Sequence, residues 1–312
     1  MFTKNFKELS KKNVDIAGGK GASLGEMTQA GISVPPGFVI LSDSFDRFLH
    51  ETDLFQAIQA ELNKVNYDDI NSVDQASIII RDMIYDVLMS EDLSKEILKE
   101  LKKLNSRFVA VRSSATAEDS LVASWAGELE SYLNTTEKTI LLNVRNCWSS
   151  LFTPRAIFYR KEKKLTNVQV SVAVVVQAMI ESEVSGVCFT VHPVTEDRNQ
   201  LIIEAGFGLG EAIVSGSITP DSYVINKKDL SLMDINISQQ EKKIVKCLKN
   251  GVKWINVKKG EQEKQKLNGR EIIKLAKICA QIEKHYKKPQ DIEWAYKDKK
   301  FYIVQSRPIT TL

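Results

Sequence analysis

The 312-residue chain is poor in cysteine, proline and histidine, with four, seven and three of each. Cys147, Cys188, Cys247 and Cys279 stand far apart, without a CxxC pair or a histidine at zinc spacing. That excludes a zinc ribbon and a disulfide-stapled scaffold. Each cysteine reads as a reduced, small apolar residue in or near a core. No apolar run approaches the roughly 18 residues of a membrane span, and the N-terminal MFTKNFKELSKKN has no apolar h-region. A cytoplasmic protein with no membrane partner is expected. A surplus of charge is lacking too: Lys plus Arg number 43 and Asp plus Glu 40, a net +3. Without a concentrated basic face, no nucleic acid is expected as a partner. The Lys-rich stretches 241–266 and 284–300 are broken by Glu, Asp and apolar residues and read as solvated faces. His50, His192 and His285 read as structural or surface residues.

What is present suits a mixed α and β protein. Hydrophobic residues make up 43% and charged residues 27%, ordinary for a globular chain, and the length predicts two lobes or domains. A Gly-rich loop precedes a helix over 22–30 that stops at Gly31, a residue suited to a left-handed cap. Apolar residues recur at helical spacing over 45–62, 73–87 and 93–104. A short strand, 108–112, leads into the polar segment 113–124. Helical periodicity returns over 140–151, and Thr153-Pro154 opens another helix. Val170 to Ile180 is almost wholly β-branched or apolar, as in a strand buried on both faces. Further strands are expected at 184–190, 200–205 and 222–226. Asn268 and Glu271 form a capping-box pattern for a helix over 269–286, and 292–296 with 301–305 read as a hairpin.

Three places carry possible chemistry. Gly18-Gly19-Lys20-Gly21 sits at a loop-to-helix junction, where small residues, helix N–H groups and a lysine suit an anion; an ordinary tight turn would have the same composition. Arg112 at a strand end could fork onto phosphate oxygens or serve as an ion-pair partner. At the C-terminus, a three-residue turn on Asp298-Lys299-Lys300 would pair Lys297 with Phe301 and set Glu293 opposite Gln305. Directly paired Cβ atoms lie about 5 Å apart, so two oxygens there could share one Mg²⁺. Arg307 and Asp291 fall on the same face. A polar outer face of a hairpin is the alternative.

Nine stretches resemble one family in its order: GGKGASLGEM (18–27), VPPGFVI (34–40), AVRSSATAEDS (110–120), ASWAGE (123–128), CWSSLFTPRAIFYR (147–160), VVVQAMI (174–180), SGVCFTVHPVT (185–195), GLGEAIVSGSITPDSYVI (208–225), and PQDIEWAY with YIVQSRPIT at the end. The chain is similar to the N-terminal nucleotide-binding domain shared by phosphoenolpyruvate synthase, pyruvate phosphate dikinase and rifampicin phosphotransferase. The resemblance implies an α+β, two-lobed, ATP-grasp-like fold with the nucleotide between the lobes. It implies an N-terminal lobe 1–179 with phosphate-binding loops and a C-terminal lobe 180–312 with the hairpin, together one ATP-binding domain. The implied cofactors are ATP and Mg²⁺, and the implied activity is a dikinase-type phosphoryl transfer from ATP to a histidine. That histidine would lie on a swivelling partner domain, in cis or in trans, serving a further acceptor domain. None of the three histidines here has the Gly-Gly…Ser-His setting of that domain. The resemblance therefore also implies a fragment, an engineered domain or part of a split enzyme; a catalytically silent nucleotide-binding regulatory module is the alternative.

Carried over by position, Lys20 and Arg112 resemble the family's phosphate-binding pair, and Gly127 and Ser131 fall where its loop meets the nucleotide. Gln177 ends the strand leading to the interlobe hinge, where side chain and backbone would read the adenine. Glu293 and Gln305 resemble the metal ligands, and Arg307 the second phosphate-binding arginine. Lys20, Arg112 and Arg307 are the implied catalytic residues. Ser131 replaces a usual threonine, Trp125 a Phe, Glu128 a Gln and His192 an Asn.

Overall fold

In the computed structural model the described residues are 1–116, 130–163, 171–247 and 251–310, with the backbone of 119–120 and 123–124. The chain divides into two compact units, Met1–Glu26 with Pro36–Met179, and Met27–Pro35 with Ile180–Leu312. The short segment 27–35, which a linear division leaves with the first lobe, packs in the second unit.

The first unit is built on strands β1 (Thr3–Asn5), β2 (Gly37–Ile40), β3 (Val109–Ala115), β6 (Ser131–Thr135) and β7 (Val172–Ala178), in the order β1-β2-β7-β3-β6. The two-residue strands β4 (Asp119–Ser120) and β5 (Ala123–Ser124) pair with each other. All pairings in the five-stranded sheet are antiparallel. Side chains alternate along a strand, and the two faces differ. Phe38, Ile40, Val109, Val111, Val172, Val174 and Val176 face a helical layer. That layer consists of α2 (Ser42–Glu51), α3 (Leu54–Leu62), α4 (Ile70–Asp86), α5 (Glu91–Leu104), α6 (Ile140–Ser149) and α7 (Pro154–Glu162). Its centre is Trp148, fully buried with its ring 5.0 Å from Phe48 and 5.6 Å from Phe45. Thr153 caps α7, accepting the Ala156 N–H, with Pro154 in the first turn. Where the periodicity over 45–62 runs continuously, the structure breaks it at Asp53, whose φ is 57°.

The opposite face of this sheet carries α1 (Val14–Gln29). The helix begins eight residues before the expected Ala22 and is interrupted at Gly18 (φ 66°, ψ 172°), so the Gly-rich stretch joins two helical segments. Its far end closes as expected at Gly31 (φ 74°). The Ile32 N–H donates to Met27 O and the Gly31 N–H to Thr28 O, the paired bonds of a left-handed helix cap.

The second unit is a six-stranded antiparallel sheet, β11-β10-β9-β8-β14-β15. Its strands are β8 (Val184–Phe189), β9 (Gln200–Phe207), β10 (Asp221–Asn226), β11 (Leu232–Asn236), β14 (Gln290–Lys297) and β15 (Lys300–Pro308). One face buries Cys188, Ile203, Tyr223, Ile292 and Trp294 under α9 (Gly269–Tyr286), which contributes Ile272, Leu275, Ala276, Cys279 and Ile282. The predicted capping box at Asn268 and Glu271 is present. The short α8 (Glu211–Val214) follows β9. β12 (Lys242–Lys246) and β13 (Val252–Asn256) pair as a separate hairpin. The Lys-rich segment read as a solvated face is therefore a two-stranded ribbon, anchored where the Leu209 N–H donates to Ile244 O. All four cysteines are free thiols, Cys147, Cys188 and Cys279 buried and Cys247 partly so. Among the described residues no helix is long and apolar enough to cross a membrane.

Candidate functional site

The α1-facing side of the first sheet gathers several sequence-predicted residues. Arg112 lies opposite Val175 on one side and Ser131 on the other, so Arg112 and Ser131 point to the same face. Gln177 shares it, paired with Ala110 and Gly37. Arg112 does not end its strand: β3 runs on to Ala115. Ser113 and Ser114 sustain a buried strand despite their polarity because both hydroxyls are satisfied internally. Ser113 Oγ donates to Glu130 O (3.0 Å), while Ser114 Oγ donates to Ala17 O (3.0 Å).

Ser114 also accepts the Gly21 N–H at 3.3 Å. One buried hydroxyl thus holds both sides of the break in α1, two residues along the strand from Arg112. Lys20 sits within this fastened turn. The break restarts the helix at a run of small residues, where N–H groups lack helical acceptors and the dipole favours an anion. A side chain at Gly18 has no room: its Cβ would lie 2.2 Å from Ser114 Oγ and 2.3 Å from Ser114 O. The positive φ adds strain of its own. Gly18→Ala is therefore expected to destabilise the chain by about 1–3 kcal/mol, read as a lower urea midpoint. A midpoint equal to that of the unaltered chain would show that α1 is not fixed against β3 in this way.

Gln177 is buried, 2% exposed, and the backbone after it is already engaged. The Ala178 N–H donates to Pro36 O and the Met179 N–H to Phe108 O. Gly127, with Trp125 and Glu128, lies outside the described residues. His50 stacks on Phe55 with ring centroids 5.1 Å apart, and His192 Nδ1 accepts the N–H groups of Val194 and Thr195.

The second unit brings Asp291, Glu293, Gln305 and Arg307 to one face, opposite to that covered by α9. Glu293 pairs with Gln305 and Asp291 with Arg307, but the route differs from the three-residue turn expected. Asp298 and Lys299 both have positive φ (48° and 62°), the signature of a two-residue turn whose twist matches the strands, and Lys297 pairs with Lys300. The register then shifts between Glu293 and Trp294: Trp294 faces Ile303 while Glu293 faces Gln305, leaving Val304 as a bulge. The shorter turn and the bulge cancel.

Arg307 donates from Nε (2.9 Å) and Nη2 (2.8 Å) to Asp291 Oδ2. Burial pushes the Asp291 carboxyl up against the opposing pull of Arg307. Glu204 joins the same face, since it pairs with Val187, the neighbour of Glu293. Burial, and then repulsion from Asp291, raise the Glu204 carboxyl. Sequence reasoning passed over Glu204, although a carboxylate inside the apolar run Leu201-Ile202-Ile203-Glu204-Ala205 is a visible signal. Ser114 carries no such signal, being a small polar residue in the polar segment that follows the expected strand.

Glu293 and Gln305 supply hard oxygens on adjacent strands, a donor set that suits Mg²⁺. Among the described residues no group of three His, Cys, Asp or Glu side chains is placed to hold a metal unaided. The pair therefore fits an ion that brings further oxygen ligands with it. In the first unit a fastened, Gly-rich helix turn beside Arg112 suits an anion; in the second, taken by itself, the oxygen-rich hairpin beside Arg307 suits a divalent ion.

The comparison with known proteins is specific. The chain belongs to the family described as "Pyruvate phosphate dikinase, AMP/ATP-binding domain", which it matches over residues 14–312. It is 48% identical over 312 residues to a probable phosphoenolpyruvate synthase of Methanocaldococcus jannaschii, covering 98% of this chain and 26% of the relative. Identity to the phosphoenolpyruvate synthase of Pyrococcus furiosus is 40% over 358 residues, covering 100% of the chain and 44% of the relative. The rifampicin phosphotransferase of Bacillus subtilis is 38% identical over 308 residues, with 98% and 35% covered. The chain thus spans less than half the length of each of these relatives.

Proposed function

We propose that this chain binds MgATP, which gives up two phosphoryl groups, one to a histidine on a swivelling partner domain, in cis or in trans, and the other to a second acceptor such as water, leaving AMP. The single observation that carries the reading is Arg112 and Ser131 side by side on the face that receives the Gly18–Gly21 turn, within an AMP/ATP-binding family match. Lys20, Arg112 and Arg307 would neutralise phosphate oxygens, and Gly127 and Ser131 would line the phosphates. Gln177 would meet the adenine. Glu293 and Gln305 would hold Mg²⁺, whose charge offsets that of the phosphates. Phosphoryl transfer asks little covalent chemistry of the donor site, so positioning and charge placement are the chain's contribution. Asp291, by taking two N–H groups of Arg307, would fix the plane of that guanidinium for a phosphate. The final acceptor would be read by a further domain, as the names of the phosphoenolpyruvate synthase and rifampicin phosphotransferase relatives suggest.

Binding to the folded state alone stabilises by mass action, by about 2.7 kcal/mol at a hundredfold excess over Kd. MgATP at millimolar concentration is therefore expected to raise the melting temperature. Lys20→Ala and Arg112→Ala should each weaken binding by about 1.5–3 kcal/mol, the worth of a charged hydrogen bond. A melting temperature indifferent to MgATP would sink the reading. Transfer itself is tested by incubating the chain with labelled ATP and a separately expressed histidine domain. Release of AMP with labelled histidine is the expected result; MgATP binding without either would mean a silent regulatory module.

A further inference from the structure

The far side of β6, the strand that carries Ser131, is held by a contact that the reading above does not use. Alternation puts Glu130 and Tyr132 on the side away from Arg112, toward the helical layer. There the Glu130 carboxylate accepts from Arg81 Nη2 of α4 at 2.7 Å. Its other oxygen takes the Tyr132 hydroxyl in a short hydrogen bond. Burial, and then the facing carboxylate, raise the Tyr132 phenol far above its ordinary value, so it stays a donor. The Glu130 carbonyl is fixed as well, accepting both the Ser113 N–H (3.1 Å) and Ser113 Oγ (3.0 Å). Glu130 is therefore held by its backbone to β3 and by its side chain to α4.

The strand needs such an anchor. The β3–β6 pairing is irregular: Val109 faces Thr135, but Val111 faces Tyr132 and Arg112 faces Ser131. Asn134, inside the irregular stretch, has φ 55°. Two registers one residue apart are thus joined within a five-residue strand, and a slip of one residue would turn Ser131 to the opposite face. The bond of Glu130 to Arg81 of α4 opposes that slip at the residue before Ser131, while Tyr132, on the same strand, holds the carboxylate in the orientation that meets Arg81.

We propose that Glu130 is a positioning residue for the nucleotide site, clamped by Arg81 and Tyr132 so that Ser131 is presented beside Arg112. The proposal rests on the reading of Ser131 and Arg112 as nucleotide contacts. The chemistry is electrostatic and needs no proton transfer: a carboxylate between a guanidinium and a phenol sets the register of the strand.

The test is a double-mutant cycle on the full 312-residue chain, with MgATP affinity measured by calorimetry well below each melting temperature. Glu130→Gln keeps the shape but removes the charge, and should weaken MgATP about tenfold, the scale of one charge-assisted hydrogen bond. Combined with Ser131→Ala it should cost little beyond the larger single loss, because both act through the same contact. Arg81→Gln breaks the same ion pair from α4 and should reproduce the loss, which keeps the test open if Glu130→Gln fails to fold. A merely structural Glu130 would lower the melting temperature with affinity unchanged, and that outcome overturns the proposal. So does a Glu130→Gln loss that adds in full to that of Ser131→Ala. Failure of the unaltered chain to bind MgATP would instead refute the underlying reading, and the inference with it, before any substitution is made.

Discussion

Glu293→Gln is expected to lower Mg²⁺-dependent AMP formation by about 10²–10³-fold, the scale on which one preorganised electrostatic group counts in an enzyme site, while the fold persists. The amide keeps the volume and the strand pairing to Gln305 and Val187 and removes only the negative charge. Two neutral amides opposite each other would leave the ion without a charged protein ligand. The loss should be partly recovered by raising Mg²⁺, because a weaker site needs more metal to fill. Measuring turnover against Mg²⁺, with the labelled histidine domain present, checks both points. A normal rate with a normal Mg²⁺ dependence would remove the hairpin from the metal site, whatever the family match.

The largest expected loss of stability lies elsewhere, at Asp221→Ala. Asp221 is 0% exposed, and four groups donate to its carboxylate. Oδ1 accepts Lys266 Nζ (2.8 Å) and the Ser238 N–H (3.0 Å); Oδ2 accepts the Lys266 N–H (2.9 Å) and the Tyr223 hydroxyl (2.8 Å). The Lys266 side chain is wholly buried beside it, with Nζ 5.3 Å from the centre of the Phe207 ring. Taking away the carboxylate leaves an ammonium in the interior with no counter-charge at that contact, which costs about 3–5 kcal/mol. Urea unfolding should register that drop. Replacing Lys266 by Met in the same chain should restore part of it, since the stranded charge is then gone. A midpoint for Asp221→Ala equal to that of the unaltered chain would mean that Lys266 finds water or another partner when the carboxylate is removed.

How much of this was legible depended on whether the determining contact was local. Helix caps at Thr153 and Asn268 and the left-handed stop at Gly31 are set by a few neighbouring residues, and they read correctly; the apolar strand expected over 170–180 is present as Val172–Ala178. Features fixed by distant partners did not. The extra turn of α1 before Gly18 depends on Ser114, ninety-odd residues away in the chain, accepting and donating across the break. The expected strand stopped at Arg112, short of Ser113 and Ser114, because nothing near them in sequence announces that Ala17, Glu130 and Ser150 satisfy their hydroxyls. The Lys-rich ribbon β12–β13 was hidden by its charge, since Ile244 alone among its ten residues is buried. At the candidate site, Glu293, Gln305 and Arg307 could be placed on one face by counting alternation along the hairpin, the over-long turn being offset by the bulge, whereas Arg112 stood out only as an arginine beside a short strand. Glu204 stood out as a carboxylate in an apolar run, but its place on the face of Glu293 is set through a third strand, and that of Glu130 through a helix.

The Val304 bulge makes the length of the terminal hairpin a coupled quantity. Without it, Gln305 would fall opposite Ile292 and turn toward α9, and Arg307 would follow. With a three-residue turn and no bulge, the same pairs would meet as they do now. A lineage that lengthens the turn at Asp298-Lys299 by one residue must therefore lose one near Val304, or forfeit four aligned side chains in a single step. Insertions and deletions in this hairpin should accordingly travel in compensating pairs, so that turn length alone is a poor guide to kinship and the sum of turn and bulge a good one.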